Sequence, residues 1–216
     1  MNIIAINGSP RKKWNTATLL ENVLEGAKSQ GAETEMFHLY DYDFKGCMSC
    51  FACKTKDGKS YGQCALKDEL TPVLEKINNA DALILGSPVY FSSVSGEMRS
   101  FTERMLFPKM TYSDPYQTLF QRKINTGFIY TMNITEEDLK SYEVFVHNYK
   151  YNEMTLQFVF GASESLLCHD TYQFKDYSKV VQSRFDPEKK AQRRKDIFPQ
   201  DCKKAYEMGV RFAKKE

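Results

Sequence analysis

The chain has 216 residues, 42% of them hydrophobic, and a formal net charge of +2. That length suits one α/β domain with elaborations, and so small a charge argues against a dedicated nucleic-acid binder, which would carry a basic stripe. No apolar run approaches the roughly 18 residues needed to span a bilayer, and the amino terminus enters a strand at once, so a cytoplasmic protein with reduced cysteines, no signal peptide and no membrane partner is expected.

Ile3–Ile6 is a β-branched apolar run bounded by Asn7 and Gly8, the pattern of a strand buried on both faces of a parallel sheet. A polar loop follows, and Asn15 or Thr16 stands where a helix N-cap belongs. Ala17, Leu20, Val23, Leu24 and Ala27 then repeat at helical spacing up to Gly31. A strand feeding a polar loop that opens a helix leaves backbone N–H groups aimed into the loop and adds the helix dipole, which makes an anion site. The loop carries neither the P-loop run nor the three spaced glycines of the dinucleotide fingerprint. It offers instead Ser9, Asn15, Thr16 and Thr18 with one guanidinium, Arg11, a set suited to a single terminal phosphate.

Glu33–Leu39 alternates as a strand near a sheet edge. Four of the six cysteines follow within residues 46–65: Cys47, Cys50 and Cys53 at two-residue gaps, then Cys64. A compact triplet with a distal fourth is a ligand set for a [4Fe–4S] cluster, because such spacing lets thiolates converge on one cubane. A zinc site built from the same four thiolates, a redox disulfide of Cys47 with Cys50 or Cys53, and free thiols stay open beside it. Cys168 and Cys202 read as core thiols, and His38, His147 and His169 lack any ligand partner at useful spacing.

Asp68 opens a helix with Glu69 in its first turn, Pro72 early, and Leu70, Val73, Leu74 and Ile77 on its buried face. Ala82–Leu85 is a third strand; it leads into a polar loop over residues 86–96 and a helix from about Gly96 to Leu106. Two strand–loop–helix units in one parallel sheet bring two loops to its carboxyl edge, where ligands bind in open α/β sheets. Residues 107–121, with Pro108 and Pro115, form an irregular insertion of the kind that serves as a lid or an interface arm. A fourth strand at Ile124–Tyr130, a capped helix from Thr135 to about Phe160 and a fifth strand over Glu164–Phe174 come next. Beyond Asp186 lie two helical patches separated by Phe198–Pro199, and the basic run from Lys189 to Lys195 reads as a solvated helix face. Strands alternating with helices in this way give one doubly wound parallel-sheet domain over residues 1–216.

In their order and spacing, Asn7-Gly8-Ser9-Pro10-Arg11 with Asn15-Thr16, the Cys47-x-x-Cys50-x-x-Cys53 cluster, and Gly86-Ser87-Pro88-Val89-Tyr90-Phe91 carry a family likeness. The chain resembles the NAD(P)H-dependent FMN reductases and, more closely, the iron–sulfur flavoproteins of the flavodoxin-like superfamily, over essentially its whole length. The resemblance implies a sheet of order 2-1-3-4-5, bound FMN, NAD(P)H as co-substrate, and a homodimer or homotetramer whose interfaces complete the flavin site. By the same likeness Ser9, Arg11, Asn15, Thr16 and Ala17 would hold the FMN phosphate. Pro88, Val89, Tyr90 and Phe91 would line the isoalloxazine, with Ser92 and Ser93 beside it and Thr131–Asn133 as a third contact. Cys47, Cys50, Cys53 and Cys64 would hold a [4Fe–4S] cluster. Trp14 stands where similar loops usually carry glycine. Two functions follow: reduction of flavin, quinone or another small electron acceptor by NAD(P)H, with no catalytic side chain required, or electron carriage from ferredoxin through the cluster to FMN.

Overall fold

The computed structural model describes residues 1–214, so the last two residues of the expected 1–216 domain lie outside the described residues. Its strands are β1 (Asn2–Asn7), β2 (Glu33–His38), β3 (Ala82–Tyr90), β4 (Ser93–Val94), β5 (Ile124–Thr131) and β6 (Gly161–Cys168). Five of them form a parallel sheet of order β2-β1-β3-β5-β6, the expected doubly wound arrangement with the expected edge strand, and the two-residue β4 folds back on β3. The helices are α1 (Asn15–Lys28), α2 (Thr71–Asn79), α3 (Gly96–Leu106), α4 (Glu136–Leu139), α5 (Glu143–Phe160), α6 (Pro187–Asp196) and α7 (Phe198–Phe212). No helix among the described residues is long and apolar enough to cross a membrane.

The alternation of β1 sorts the core into two layers. Ile3 and Ala5 face α1 and α7, whereas Ile4 and Ile6 face α2, α3 and α5, and all four are fully buried. Such double burial is why the central strands read as unbroken apolar runs. On the first layer α1 and α7 touch backbone to backbone. A Cβ at Gly209 would sit 1.8 Å from the Val23 carbonyl oxygen, and one at Gly26 would sit 2.0 Å from that of Tyr206.

Several boundaries depart from expectation. Trp14 occupies the N-cap position of α1 without a side-chain cap, while Asn15 and Thr16 lie inside the helix. The helix expected from Asp68 starts at Thr71, and the Asp68 carboxylate ahead of it accepts from the Leu70 N–H at 3.2 Å and pairs with Arg104. Residues 86–90, expected in a polar loop, extend β3: Pro88 lies opposite Thr131 of β5, and the chain reverses at Phe91–Ser92 with φ of 49° and 60°. Two consecutive left-handed residues make the tight turn that joins β3 to β4. The long helix of residues 134–160 is broken into α4, capped by Thr135 as expected, and α5. At its end Gly161, with φ of 106°, turns the chain directly into β6, three residues before the expected strand start. That strand ends at Cys168, so residues 169–174 leave the sheet. The 107–121 insertion is partly ordered by a bridge between Met110 and Thr118. Finally, the basic run is only in part the expected solvated face: Lys189 and Lys195 are exposed, but Lys190 is buried on Asp170 and Arg193 pairs with Asp201.

Candidate functional site

At the carboxyl edge of the sheet a cleft opens between the β1–α1 loop, the end of β3, the end of β5 and the segment after β6. Ser9, Arg11, Asn15 and Thr16 line one side of it, Pro88, Val89 and Tyr90 another, and Thr131–Asn133 the floor. The loop is fixed from below. Gly8 donates its N–H to the Gly86 carbonyl (2.8 Å), and Ser95 donates its hydroxyl to the Gly8 carbonyl (2.6 Å), so the two loops are tied to each other. A Cβ on Gly8 would meet that of Met98 at 2.8 Å, which is why a glycine stands where the loop crosses the start of α3. Thr16 and Thr131 share a buried hydroxyl–hydroxyl bond of 2.8 Å, joining the first turn of α1 to the end of β5.

The first intrahelical bond of α1 runs from Thr18 N–H to the Trp14 carbonyl. The N–H groups of Asn15, Thr16 and Ala17 therefore precede the hydrogen-bonded ladder at the positive end of the helix. Ser9, Asn15 and Thr16 are buried polar side chains beside them. Polar donors at one end of the cleft and Pro88, Val89 and Tyr90 at the other fit a ligand with a phosphate tail and a flat, largely apolar head.

Of the residues expected to touch such a ligand, Ala17 is buried beneath the loop and does not line the cleft, and neither do Phe91, Ser92 and Ser93. The hairpin turn carries Phe91 fully into solvent, and Asn148 of α5 holds the turn through the Ser92 carbonyl at 2.8 Å.

The segment Asp170–Phe174 forms a strap across the cleft that no periodicity announced. Trp14 Nε1 and Asn15 Nδ2 both donate to the Tyr172 carbonyl (2.9 and 2.8 Å), and Arg11 donates to the Gln173 carbonyl. The strap is anchored underneath by Lys190, which pairs with Asp170 and donates to Asn133 Oδ1 at 2.6 Å, while Arg194 reaches Asn15 Oδ1 at 2.8 Å. Backbone acceptors have no residue-type signature, so only the basic run of α6 hinted at this support. Near it, burial pushes the Cys168 thiol up, reinforced by the Asp201 carboxylate it donates to at 3.0 Å. Burial likewise holds His169 below its ordinary value.

The cysteine segment packs along the far part of α3. Arg104, its side chain fully buried, donates to Cys64 Sγ (2.8 Å), to the Lys45 carbonyl (2.8 Å) and to both Asp68 carboxylate oxygens (2.7 and 3.1 Å). Cys53 is buried and Cys64 half-buried, whereas Cys47 and Cys50 are exposed. Burial pushes the Cys53 thiol up against the pull of the Lys54 ammonium, and burial lowers Lys54 in turn. Lys54 also donates to the carbonyls of Phe107 and Met110, latching the 107–121 insertion to the cysteine segment. Among the described residues, no three His, Cys, Asp or Glu side chains converge as a metal site.

Over 110 residues the chain is 42% identical to an iron-sulfur flavoprotein of Archaeoglobus fulgidus, a match spanning 51% of each. The chain spans about half the length of the curated relatives it matches. In three dimensions it is similar to an NAD(P)H:quinone oxidoreductase from Methanothermobacter marburgensis, with a TM-score of 0.70 and 15% identity over 97% of this chain and 98% of that one. It is also similar to an FMN-dependent NADH-azoreductase from Bacillus anthracis, with a TM-score of 0.68 and 14% identity over 99% and 100%. At such identities these likenesses establish the flavodoxin-like fold alone. The model of the family described as NADPH-dependent FMN reductase matches residues 1–125, more than half of the 216, and the chain therefore belongs to that family.

Proposed function

We propose that the protein binds FMN in the cleft between the β1–α1 loop and the end of β3 and acts as a cytoplasmic FMN-dependent oxidoreductase. On this reading it moves reducing equivalents from NAD(P)H to a flavin, a quinone or another small acceptor. The observation that carries it is the union, in one cleft, of a phosphate-sized nest of buried donors and a rigid Pro88–Tyr90 wall. FMN supplies the hydride and electron chemistry when bound. The chain's own work is binding and orientation. Ser9, Arg11, Asn15, Thr16 and the first N–H groups of α1 would hold the phosphate. Pro88, Val89 and Tyr90 would set the plane of the ring, and the strap would keep water from the phosphate end. No acid or base side chain is needed for hydride transfer, and none is assigned. The exposed Phe91 and the exposed Val144, Tyr151 and Met154 of α5 support assembly into a homodimer or homotetramer, which sedimentation of the purified protein reads directly.

Titrating the colourless protein into FMN should quench flavin fluorescence at a one-to-one ratio. Arg11→Ala should weaken binding by roughly ten- to a hundredfold, the worth of a hydrogen bond to a charged group. An unaltered, folded chain that leaves the fluorescence unchanged would sink the proposal.

A second reading is favoured by the four cysteines confined to one segment: a [4Fe–4S] cluster on Cys47, Cys50, Cys53 and Cys64 that makes the protein an electron carrier, with ferredoxin as donor. The residue types suit the cluster. Their placement does not yet form a quartet, since Cys47 and Cys50 face solvent. Anaerobic loading with iron and sulfide should give stoichiometric uptake that Cys53→Ala abolishes. Iron bound equally by that variant rules this reading out.

A further inference from the structure

Three Lys or Arg side chains are buried among the described residues: Arg104, Lys109 and Lys190. Arg104 pairs with Asp68 and Lys190 with Asp170, as buried charges generally must. Lys109 is the exception. Its ammonium donates to Asn78 Oδ1 and lies 5.4 Å from the Phe120 ring centroid, and among the described residues it has no carboxylate at ion-pair distance. Burial pushes it down to about 8, so at neutral pH it still carries its charge. Lys109 lines a cleft of about 400 Å³ at the amino edge of the sheet, ahead of the starts of β3 and β5. That edge is opposite the cleft described above, and the two share no lining residue. A second cation, Arg122, lines the cleft, and no carboxylate does. Arg122 is held at the end of α2 by donating to the Asn78 and Ala80 carbonyls (2.7 and 2.8 Å), and its guanidinium lies 5.5 Å from the same Phe120 centroid. Phe120 is itself fixed edge-on against Phe160 at 4.8 Å. The Leu119 N–H donates to the Lys109 carbonyl (2.7 Å), and Gly62, with φ of 76°, seats the cysteine segment on Leu119, whose side chain a Cβ would meet at 3.3 Å.

A buried ammonium without a counter-charge is a destabilising arrangement that an anion relieves. Here the ammonium borders a cleft whose other charge is also positive and whose apolar walls are Tyr61, Leu119 and Phe120. We propose that this cleft binds a small organic carboxylate, its anionic group on Lys109 and Arg122 and its apolar body against Tyr61, Leu119 and Phe120. A neutral ligand of the same shape leaves Lys109 uncompensated, and a bare inorganic anion leaves the apolar walls uncovered, so the two features together select the class. The site stands apart from the one assigned to FMN and does not depend on it. Its walls come from the cysteine segment, the end of α2 and the 107–121 insertion with the residue that follows it. A bound carboxylate therefore ties three segments together and steadies residues 46–65 in the folded state.

The purified full chain is titrated calorimetrically with benzoate, with benzyl alcohol as its neutral counterpart and with inorganic phosphate. Benzoate is expected to bind once per chain, at least about tenfold more tightly than either of the others. Lys109→Met keeps the buried stem and removes the charge, so it should fold, which circular dichroism checks, and its affinity for benzoate should fall at least about tenfold. Arg122→Gln changes an exposed position and should weaken benzoate in the same sense. Saturating benzoate should also slow proteolytic cleavage within residues 46–65 of the wild type and leave that of Lys109→Met unchanged. Absence of benzoate binding, equal binding of benzyl alcohol or phosphate, or an affinity that survives in Lys109→Met overturns the proposal. Should that variant not fold, an affinity that survives in Arg122→Gln overturns it instead. Benzoate binding that is lost in Arg11→Ala would place the ligand in the other cleft and overturns it too. Quenching of FMN fluorescence should be the same for the wild type and both cleft variants, so the fate of the proposed function and that of this inference are read separately.

Discussion

Gly209→Ala should lower the melting temperature by several degrees and detach α7 from α1. A Cβ there would lie 1.8 Å from the Val23 carbonyl oxygen and 3.0 Å from the Ala27 nitrogen, both backbone atoms. Side-chain rotation cannot relieve such a clash, so one helix must move outward and open the layer that buries Leu20, Val23, Met208 and Phe212. Overpacked cores cost roughly 1–3 kcal/mol and occasionally more. A backbone clash belongs at the upper end, and the roughly 1 kcal/mol of helix propensity that alanine brings does not offset it. For a chain of this length that means roughly 5–10 °C in a thermal melt. Gly96→Ala is the control: a Cβ there meets nothing within 4 Å, and the melt should stay put or rise. Equal melting temperatures for the two variants would show that α1 and α7 can separate without loss.

Asp68→Ala should destabilise the protein by about 3–5 kcal/mol, because it leaves the fully buried Arg104 charge without its carboxylate. The damage should be local in kind. Arg104 also holds Lys45 and Cys64, so residues 46–65 should become the first site of cleavage in limited proteolysis. The double change Asp68→Leu/Arg104→Met removes both charges and should cost less than the single one. The pair also sets a pH dependence. Burial pushes the Asp68 carboxyl up, but hydrogen bonds and charge from Arg104 and the Leu70 N–H outweigh it and hold the group below its ordinary value. A folded value below the unfolded one means that the stabilisation is complete above the unfolded carboxylate range. It is lost as pH falls through the folded value, below about pH 4. Denaturant melts of wild type and Asp68→Ala should therefore converge in acid. A gap that persists undiminished there would place the cost elsewhere than in the charge pair.

The apolar runs Ile3–Ile6 and Ala82–Leu85 declared the buried parallel strands, because burial on both faces leaves no room for polar alternation. Ser9, Arg11, Asn15 and Thr16 were legible as one polar group, and they do line one cleft, since a strand–helix junction is local in sequence. Phe91, Ser92 and Ser93, expected at the flavin from the resemblance, stand outside the lining of that cleft. Whether the chain beyond Pro88 runs as loop or hairpin depends on the pairing of Pro88 with Thr131, a residue far along the chain on another strand. The strap was invisible for a related reason, as its grip on Trp14 and Asn15 is made by carbonyls that every residue possesses.

The strand order came only with the family resemblance; what the amino-acid order determined by itself was therefore the layer architecture of a doubly wound sheet and the position of the polar β1–α1 loop. These follow from periodicity and local chemistry, which neighbouring residues settle among themselves. Only the tertiary structure decided that α1 and α7 meet through glycine, that Lys190 and Arg193 turn inward, and that Asp170–Phe174 closes the cleft. Each of these joins segments far apart in the chain, where burial and charge pairing act across space and leave no local pattern to read.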